Sequence, residues 1–127
     1  MKLLLDSHAF LWWIMDRPRL TDHAGDEISD RGNTVLISAA TIWELEIKRA
    51  SGRLEFDVDL PHEVARRSFT PLPVTSEHGV TAARLPPHHS DPFDRMLVAQ
   101  AQIEGLTIVT SDRIISRYDV AVMPAAA

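Results

Sequence analysis

Short, mostly apolar runs alternate with helix-length segments along the whole sequence, and this alternation constrains the fold more than any other feature. The runs are short enough to be strands, and they lie at residues 2–6, 34–38, 72–74, 106–112 and 120–123. Strands that are hydrophobic on both faces are typical of parallel sheets covered on both sides. We therefore predict a three-layer α/β/α fold with a short, mainly parallel sheet of four or five strands.

Capping residues mark the ends of several of the intervening helices. Thr21 is a candidate N-cap for a helix that closes at Gly32, and Gly52 ends the helix that follows the second strand. Asp91 followed by Pro92 is a favourable N-cap and first helical residue. These signals predict separate helices between the strands, as the layered fold requires.

Composition limits the class of protein further. A chain of 127 residues with 45% hydrophobic and 24% charged residues is most simply one globular domain, covering residues 1–127. No apolar run approaches the ~18 residues of a membrane span, and Asp6 interrupts the first run too early for a signal peptide. The absence of cysteine suits a reducing cytoplasm. We therefore expect a cytoplasmic protein without a membrane attachment.

The net charge of −5 at first argues against a nucleic-acid partner, because phosphate binding usually needs a positive surface. Two bound divalent cations would neutralise most of that charge. The sign of the bare chain therefore does not exclude a nucleic-acid substrate.

Four acidic residues lie where strands end or helices begin. Asp6 ends the first run, Asp112 follows the fourth, Glu44 lies in the second turn of its helix and Asp94 in the first. Ligands of open parallel sheets bind beyond the carboxyl ends of the strands, so these acids are candidates for one edge. Crowded carboxylates repel one another, and a hard cation such as Mg²⁺ or Mn²⁺ relieves that repulsion. Such a site favours water activation and charge neutralisation at a phosphoryl group.

Each of these acids also has a purely structural interpretation, which the sequence leaves open. Asp6 and Asp112 could each cap the helix that follows them, and Glu44 could simply pair with Lys48 four residues later. Asp94, at the third helical position, would be favoured by the helix dipole alone.

Other polar and aromatic residues near the expected site are less informative. Ser7 and Ser111 follow strand ends, where their hydroxyls could bind a carboxylate or phosphate, or only cap a helix. We expect His88 and His89 to be loop residues, not a zinc pair, and Trp43 to be a core residue. Scattered arginines could contact phosphates, and they are Arg49, Arg53, Arg66, Arg67, Arg84 and Arg95.

Resemblance to the PIN-domain family, specifically to VapC-type toxins, is carried by four segments: "LLLDSHAFLWW", "ISAATIWELEIK", "LPPHHSDPFDRMLVAQAQIEGLTIVTSD" and "YDVAV". They occur in the family's order, at matching intervals, from Lys2 to about Val122. The resemblance implies a metal-dependent endoribonuclease that cuts RNA, often tRNA or ribosomal RNA. It also implies a VapB-type antitoxin as partner and a homodimer. The family's four acids match Asp6, Glu44, Asp94 and Asp112, while Asp91 belongs to the "DPFDR" variant outside this quartet.

We hypothesise that Asp6, Asp94 and Asp112 bind Mg²⁺ or Mn²⁺, that Glu44 holds a water molecule on the metal, and that cleavage leaves a 5′-phosphate. A phosphatase of the haloacid-dehalogenase kind would need an aspartate where His8 stands. Two non-catalytic alternatives remain: a receiver-like module that takes up a phosphoryl group in the acidic pocket, and a PIN scaffold that binds RNA without cutting it. A receiver would need a lysine after a late strand, a position without one here.

Overall fold

A computed structural model describes residues 1–126 and contains one parallel sheet of five strands. All four pairings are parallel, and the strand order is β3-β2-β1-β4-β5. The strands are β1 (Lys2–Leu5), β2 (Thr34–Ser38), β3 (Thr70–Leu72), β4 (Thr107–Thr110) and β5 (Ala121–Pro124). The predicted mainly parallel sheet is confirmed, with five strands.

Six α-helices cover the sheet: α1 (Ser7–Met15), α2 (Asp22–Ser29), α3 (Ala39–Ala50), α4 (Leu60–Arg66), α5 (Ser76–Arg84) and α6 (Pro92–Glu104). Short 3₁₀ helices lie at Arg17–Arg19 and Ile115–Arg117. Within residues 1–126, no helix combines the length and the apolar character that a membrane crossing needs.

The residues Leu3, Leu4 and Leu5 of the central strand β1 are all apolar because both faces of this strand are buried. Leu3 and Leu5 are fully buried in one hydrophobic cluster, to which α1, α2, α3 and α4 contribute. Leu4 is fully buried in a second cluster, which includes Leu97 of α6, and α5 packs on α6. Burying a leucine contributes about 1.5–3 kcal/mol, so both faces of β1 stabilise the three-layer fold.

Several predicted element boundaries are wrong by one to three residues, and two of these differences have a clear structural reason. The second helix ends at Ser29, not at Gly32, because the Asp30 side chain accepts the Gly32 N–H at 2.8 Å and forms a turn. The third strand lies two residues earlier than the predicted range 72–74. The chain reverses at Ser68, whose φ of 59° is left-handed, and this brings β3 into register sooner.

The topology brings several helix N-termini to one edge of the sheet. Since α1 follows β1 directly and α3 follows β2 directly, both helices begin at the carboxyl ends of the strands. α6 leads into the amino end of β4 and lies antiparallel to the strands, so its N-terminus also reaches the carboxyl edge. The chain passes from one side of β1 to the other between β3 and β4, and such switch points are where ligands bind.

Candidate active site

Asp6 combines a structural and a chemical position. As the N-cap of α1, it accepts the Ala9 N–H through Oδ1 at 2.8 Å. Its Oδ2 accepts a hydrogen bond from Thr110 Oγ1 at 2.5 Å, which ties the end of β1 to the end of β4. Burial raises the pKa of Asp6, although both hydrogen bonds act in the opposite direction. The capping interpretation is therefore correct, and it does not exclude a role as ligand.

Asp91 and Asp94 take different positions at the start of α6. Asp91 is the N-cap and accepts the N–H groups of Phe93 at 2.8 Å and Asp94 at 3.3 Å, with Pro92 as the first helical residue. Desolvation, followed by repulsion from Asp91, raises the pKa of Asp94 to about 7. Part of the Asp94 population is therefore protonated at neutral pH.

Glu44 faces the same region from α3. It is buried, and Lys48 Nζ lies 2.9 Å from its Oε2, so the i,i+4 pair expected from the sequence is present. Its neighbour Trp43, predicted to be core, is instead 64% exposed and meets the Phe93 ring edge-on at 5.4 Å. Successive helical residues point about 100° apart, so a buried Glu44 leaves Trp43 on a different face.

Asp112 approaches from the segment after β4. Its Oδ1 accepts the Ile114 N–H at 2.8 Å, and its Oδ2 lies 2.8 Å from His89 Nε2. The same His89 nitrogen lies 3.0 Å from Asp94 Oδ2. Burial acts to raise the pKa of Asp112, but the hydrogen bonds from His89 and Ile114 outweigh it and hold this pKa below its usual value.

A single cavity of about 300 Å³ collects these groups. Its lining residues are Asp6, Ser7, His8, Glu44, Lys48, Asp91, Asp94, Ser111 and Asp112. Larger grooves exist elsewhere, but among those described this one contains all four acids. Burial, with repulsion between carboxylates as a smaller cause, raises the pKa of Asp6 and of Asp94, and buried oxygen donors gathered in this way fit a hard divalent cation. Asp6, Asp94, Asp112 and Glu44 are the residues that could hold it.

The supporting residues divide into two groups. Ser7, which is buried, and Ser111, which is exposed, line the cavity. Arg95 is not among the lining residues. Its guanidinium donates to the carbonyls of Ala82 at 2.8 Å, and of Leu85 and Pro86 at 3.0 Å each, so its donors hold the loop before α6.

His89 is the residue near the acids that sequence reasoning missed. The predicted loop position is correct, but the sequence does not indicate that the His89 ring lies between Asp94 and Asp112. One signal was available: His89 stands five residues before Asp94, in the loop that leads to the N-terminus of α6.

Comparisons with known proteins agree with this geometry. The model of the PIN domain family matches residues 3–121. Ribonuclease VapC22 from Mycobacterium tuberculosis (strain ATCC 25618 / H37Rv) is 29% identical over 115 residues, which cover 87% of each chain.

Solved structures show the same fold at lower identity. The DNA-bound VapBC from Salmonella typhimurium matches with a TM-score of 0.72 and 20% identity, over 97% of each chain. VapBC2 from Rickettsia felis, bound to a promoter DNA fragment, matches with a TM-score of 0.70 and 15% identity, over 97% of this chain and 98% of that one. Since the family's sequence model spans nearly the whole chain and the solved structures share its fold, the protein belongs to the PIN-domain family.

Proposed function

We propose that this protein is a metal-dependent endoribonuclease of the VapC toxin type, which hydrolyses RNA phosphodiester bonds. The observation that carries the proposal is the meeting of four carboxylates, from widely separated parts of the sequence, in one cavity at the carboxyl edge of the sheet. The similarity to a named ribonuclease supports RNA as the substrate.

The proposed mechanism assigns a task to each acid. Asp6, Asp94 and Asp112 would hold Mg²⁺ or Mn²⁺, and a cation bound there acidifies water and offsets charge at the phosphoryl group. The Glu44 carboxylate, kept in place by Lys48, orients the attacking water and accepts its proton.

The bond changes balance as a simple hydrolysis. The water oxygen bonds to phosphorus, and the bond from phosphorus to the 3′ oxygen breaks. The departing 3′ oxygen takes up a proton, so the products carry a 5′-phosphate and a 3′-hydroxyl. The hydroxyls of Ser7 and Ser111 line the same cavity, where they can donate to phosphate oxygens.

A VapB-type antitoxin is the proposed inhibitory partner. This partner is supported by two solved structures that share the fold of this chain, because both are VapBC assemblies. A tRNA or ribosomal RNA target, a homodimer and a cytoplasmic location complete the proposal.

Cleavage of RNA by the purified protein is the direct test. Total tRNA and ribosomal RNA are incubated with Mg²⁺ or Mn²⁺, or with a chelator, and new 5′ ends are mapped by ligation, which requires a 5′-phosphate. Wild type is expected to cut only with metal, and Asp94→Asn to lose nearly all activity. Asp119→Asn, which changes an exposed acid outside the cavity, is the matched control.

Two results would contradict the proposal in different ways. Equal cleavage by wild type and Asp94→Asn would exclude the assigned site. RNA binding without cleavage would favour the non-catalytic PIN scaffold, and labelling by acetyl phosphate would favour the receiver-like module.

A further inference from the structure

His89 has a defined hydrogen-bonding state, because one of its ring nitrogens faces a group that can only donate. The backbone N–H of Asp91 lies 3.1 Å from His89 Nδ1. A backbone amide nitrogen has no lone pair to accept with, so Nδ1 must be the acceptor and carries no hydrogen. In a neutral ring the single N–H is therefore on Nε2.

That Nε2–H group donates to Asp112, and its nitrogen also lies close to Asp94. Its nitrogen lies 2.8 Å from Asp112 Oδ2 and 3.0 Å from Asp94 Oδ2. These acids come from different elements, one from the start of α6 and the other from the segment after β4. The ring thus lies between two carboxylates that no shared secondary structure holds together, with a hydrogen bond to Asp112 and a close contact with Asp94.

The backbone of His89 is also fixed. Its N–H donates to Tyr118 Oη at 2.8 Å, and its carbonyl accepts from Arg95 Nη1 at 3.3 Å. The ring is only 12% exposed. The donor is therefore held in place before any ligand arrives.

Direct ligation of a metal by His89 is the competing interpretation. His89, Asp94 and Asp112 can each offer one metal-ligand atom, and these three atoms lie within 4.8 Å of one another. Ligation through Nε2 would use its lone pair, and the ring hydrogen would then lie on Nδ1. That hydrogen would face the Asp91 N–H across 3.1 Å, so two donors would oppose each other. The hydrogen bond to Asp91 thus disfavours ligation through Nε2.

We propose that His89 is a positioning residue for a divalent-cation site: its Nε2–H orients the Asp112 carboxylate, and its ring sets the place of the adjacent Asp94 carboxylate, without binding the cation itself. The inference rests on the proposed metal-dependent function. Groups that hold metal ligands in place typically change metal affinity about 10–100-fold when they are removed.

Metal binding, measured by calorimetry with Mn²⁺, tests the role independently of cleavage. His89→Leu is expected to bind Mn²⁺ about 10–100-fold more weakly than wild type. His89→Gln is expected to recover part of the affinity, because its amide N–H can donate to Asp112. His88→Gln is the matched control: this exposed neighbour meets the Tyr118 ring at 5.0 Å and should leave the affinity unchanged. Circular dichroism confirms that each variant is folded.

Two spectroscopic measurements separate positioning from ligation. Nitrogen-15 NMR of the metal-free protein should find the His89 hydrogen on Nε2. Pulsed electron paramagnetic resonance of the Mn²⁺-loaded protein should show no nitrogen coordinated directly to the metal. A coordinated nitrogen that disappears in His89→Leu would overturn the inference, as would unchanged Mn²⁺ affinity in that variant.

The wild-type titration separates this failure from failure of the proposed function. If wild type does not bind Mn²⁺, the metal-dependent function and the inference both fail. If wild type binds Mn²⁺ and cuts RNA while His89→Leu binds equally well, only the inference fails.

Discussion

Replacing Asp94 with asparagine should make the metal-free protein more stable while it abolishes cleavage. The folded protein raises the pKa of Asp94 from an ordinary value of 3.8 to about 7, mainly through desolvation and the nearby Asp91. The folded state therefore holds a proton that the unfolded chain has already released, and stability falls as pH rises from about 4 to about 7. Asparagine has nearly the same shape and stays neutral at every pH.

The size of the effect follows from the two pKa values. Each pH unit between them corresponds to about 1.4 kcal/mol, so an ionised Asp94 lowers the free energy of unfolding by about 4 kcal/mol. At pH 5.5 roughly half of this penalty is already present, and at pH 8 all of it is. The stability advantage of Asp94→Asn should therefore grow by about 2 kcal/mol between these two pH values.

Urea unfolding of wild type and Asp94→Asn, with chelator at both pH values, measures this difference. Asp119→Asn is the control and should not show the growth. Saturating Mg²⁺ should reduce or reverse the gap at pH 8, because only wild type retains the complete ligand set and binding stabilises the folded state. An advantage that stays constant or shrinks from pH 5.5 to pH 8 would refute the reasoning.

Substitutions at three further positions probe the same edge of the sheet, with stability measured by urea unfolding. Thr110→Val removes the hydrogen-bond donor to buried Asp6, so it should lower stability by about 1–3 kcal/mol and raise the pKa of Asp6 further. Thr110→Ser keeps the hydroxyl and should retain most of the stability. Equal losses of stability in the two variants would contradict this. Asp91→Ala removes the N-cap of α6 and should lower stability by about 1 kcal/mol, while Asp91→Asn should keep the cap and lower the pKa of Asp94, measured by NMR titration. An unchanged Asp94 pKa in Asp91→Asn would show that their repulsion is negligible. Arg95→Met leaves several loop carbonyls without their hydrogen-bond donor and should lower the free energy of unfolding by about 1–3 kcal/mol. A decrease below about 0.5 kcal/mol would show that water replaces the guanidinium.

The acidic edge could be predicted from the sequence because it depends on local rules and on topology. Asp6 and Asp112 follow strands, Asp94 begins a helix, and parallel strands bring their carboxyl ends to one edge. The structure places these acids in one cavity with Glu44, as expected, while their individual roles remain proposals.

The mispredicted features depend either on contacts between distant parts of the chain or on a choice between two competing local signals. The exposure of Trp43 follows from which face of α3 meets the sheet, and a largely apolar helix leaves that choice open. The direction of the His89 ring depends on the Asp91 N–H and on Tyr118, which lies 29 residues away in sequence. The end of α2 was set by a side chain of its own turn, Asp30, which competed with Gly32.

The hydrogen bond from Thr110 to Asp6 spans 104 residues and has a consequence for how the protein is made. A chain synthesised from its N-terminus carries Asp6 and Glu44 early, but Asp94, Thr110 and Asp112 come late. Since β1 pairs with β4, the central strand β1 also lacks one of its two neighbouring strands until β4 has been synthesised. The four acids cannot meet on a growing chain until the segment that carries Asp112 has been added, so a chain that stops before that residue cannot assemble the proposed active site.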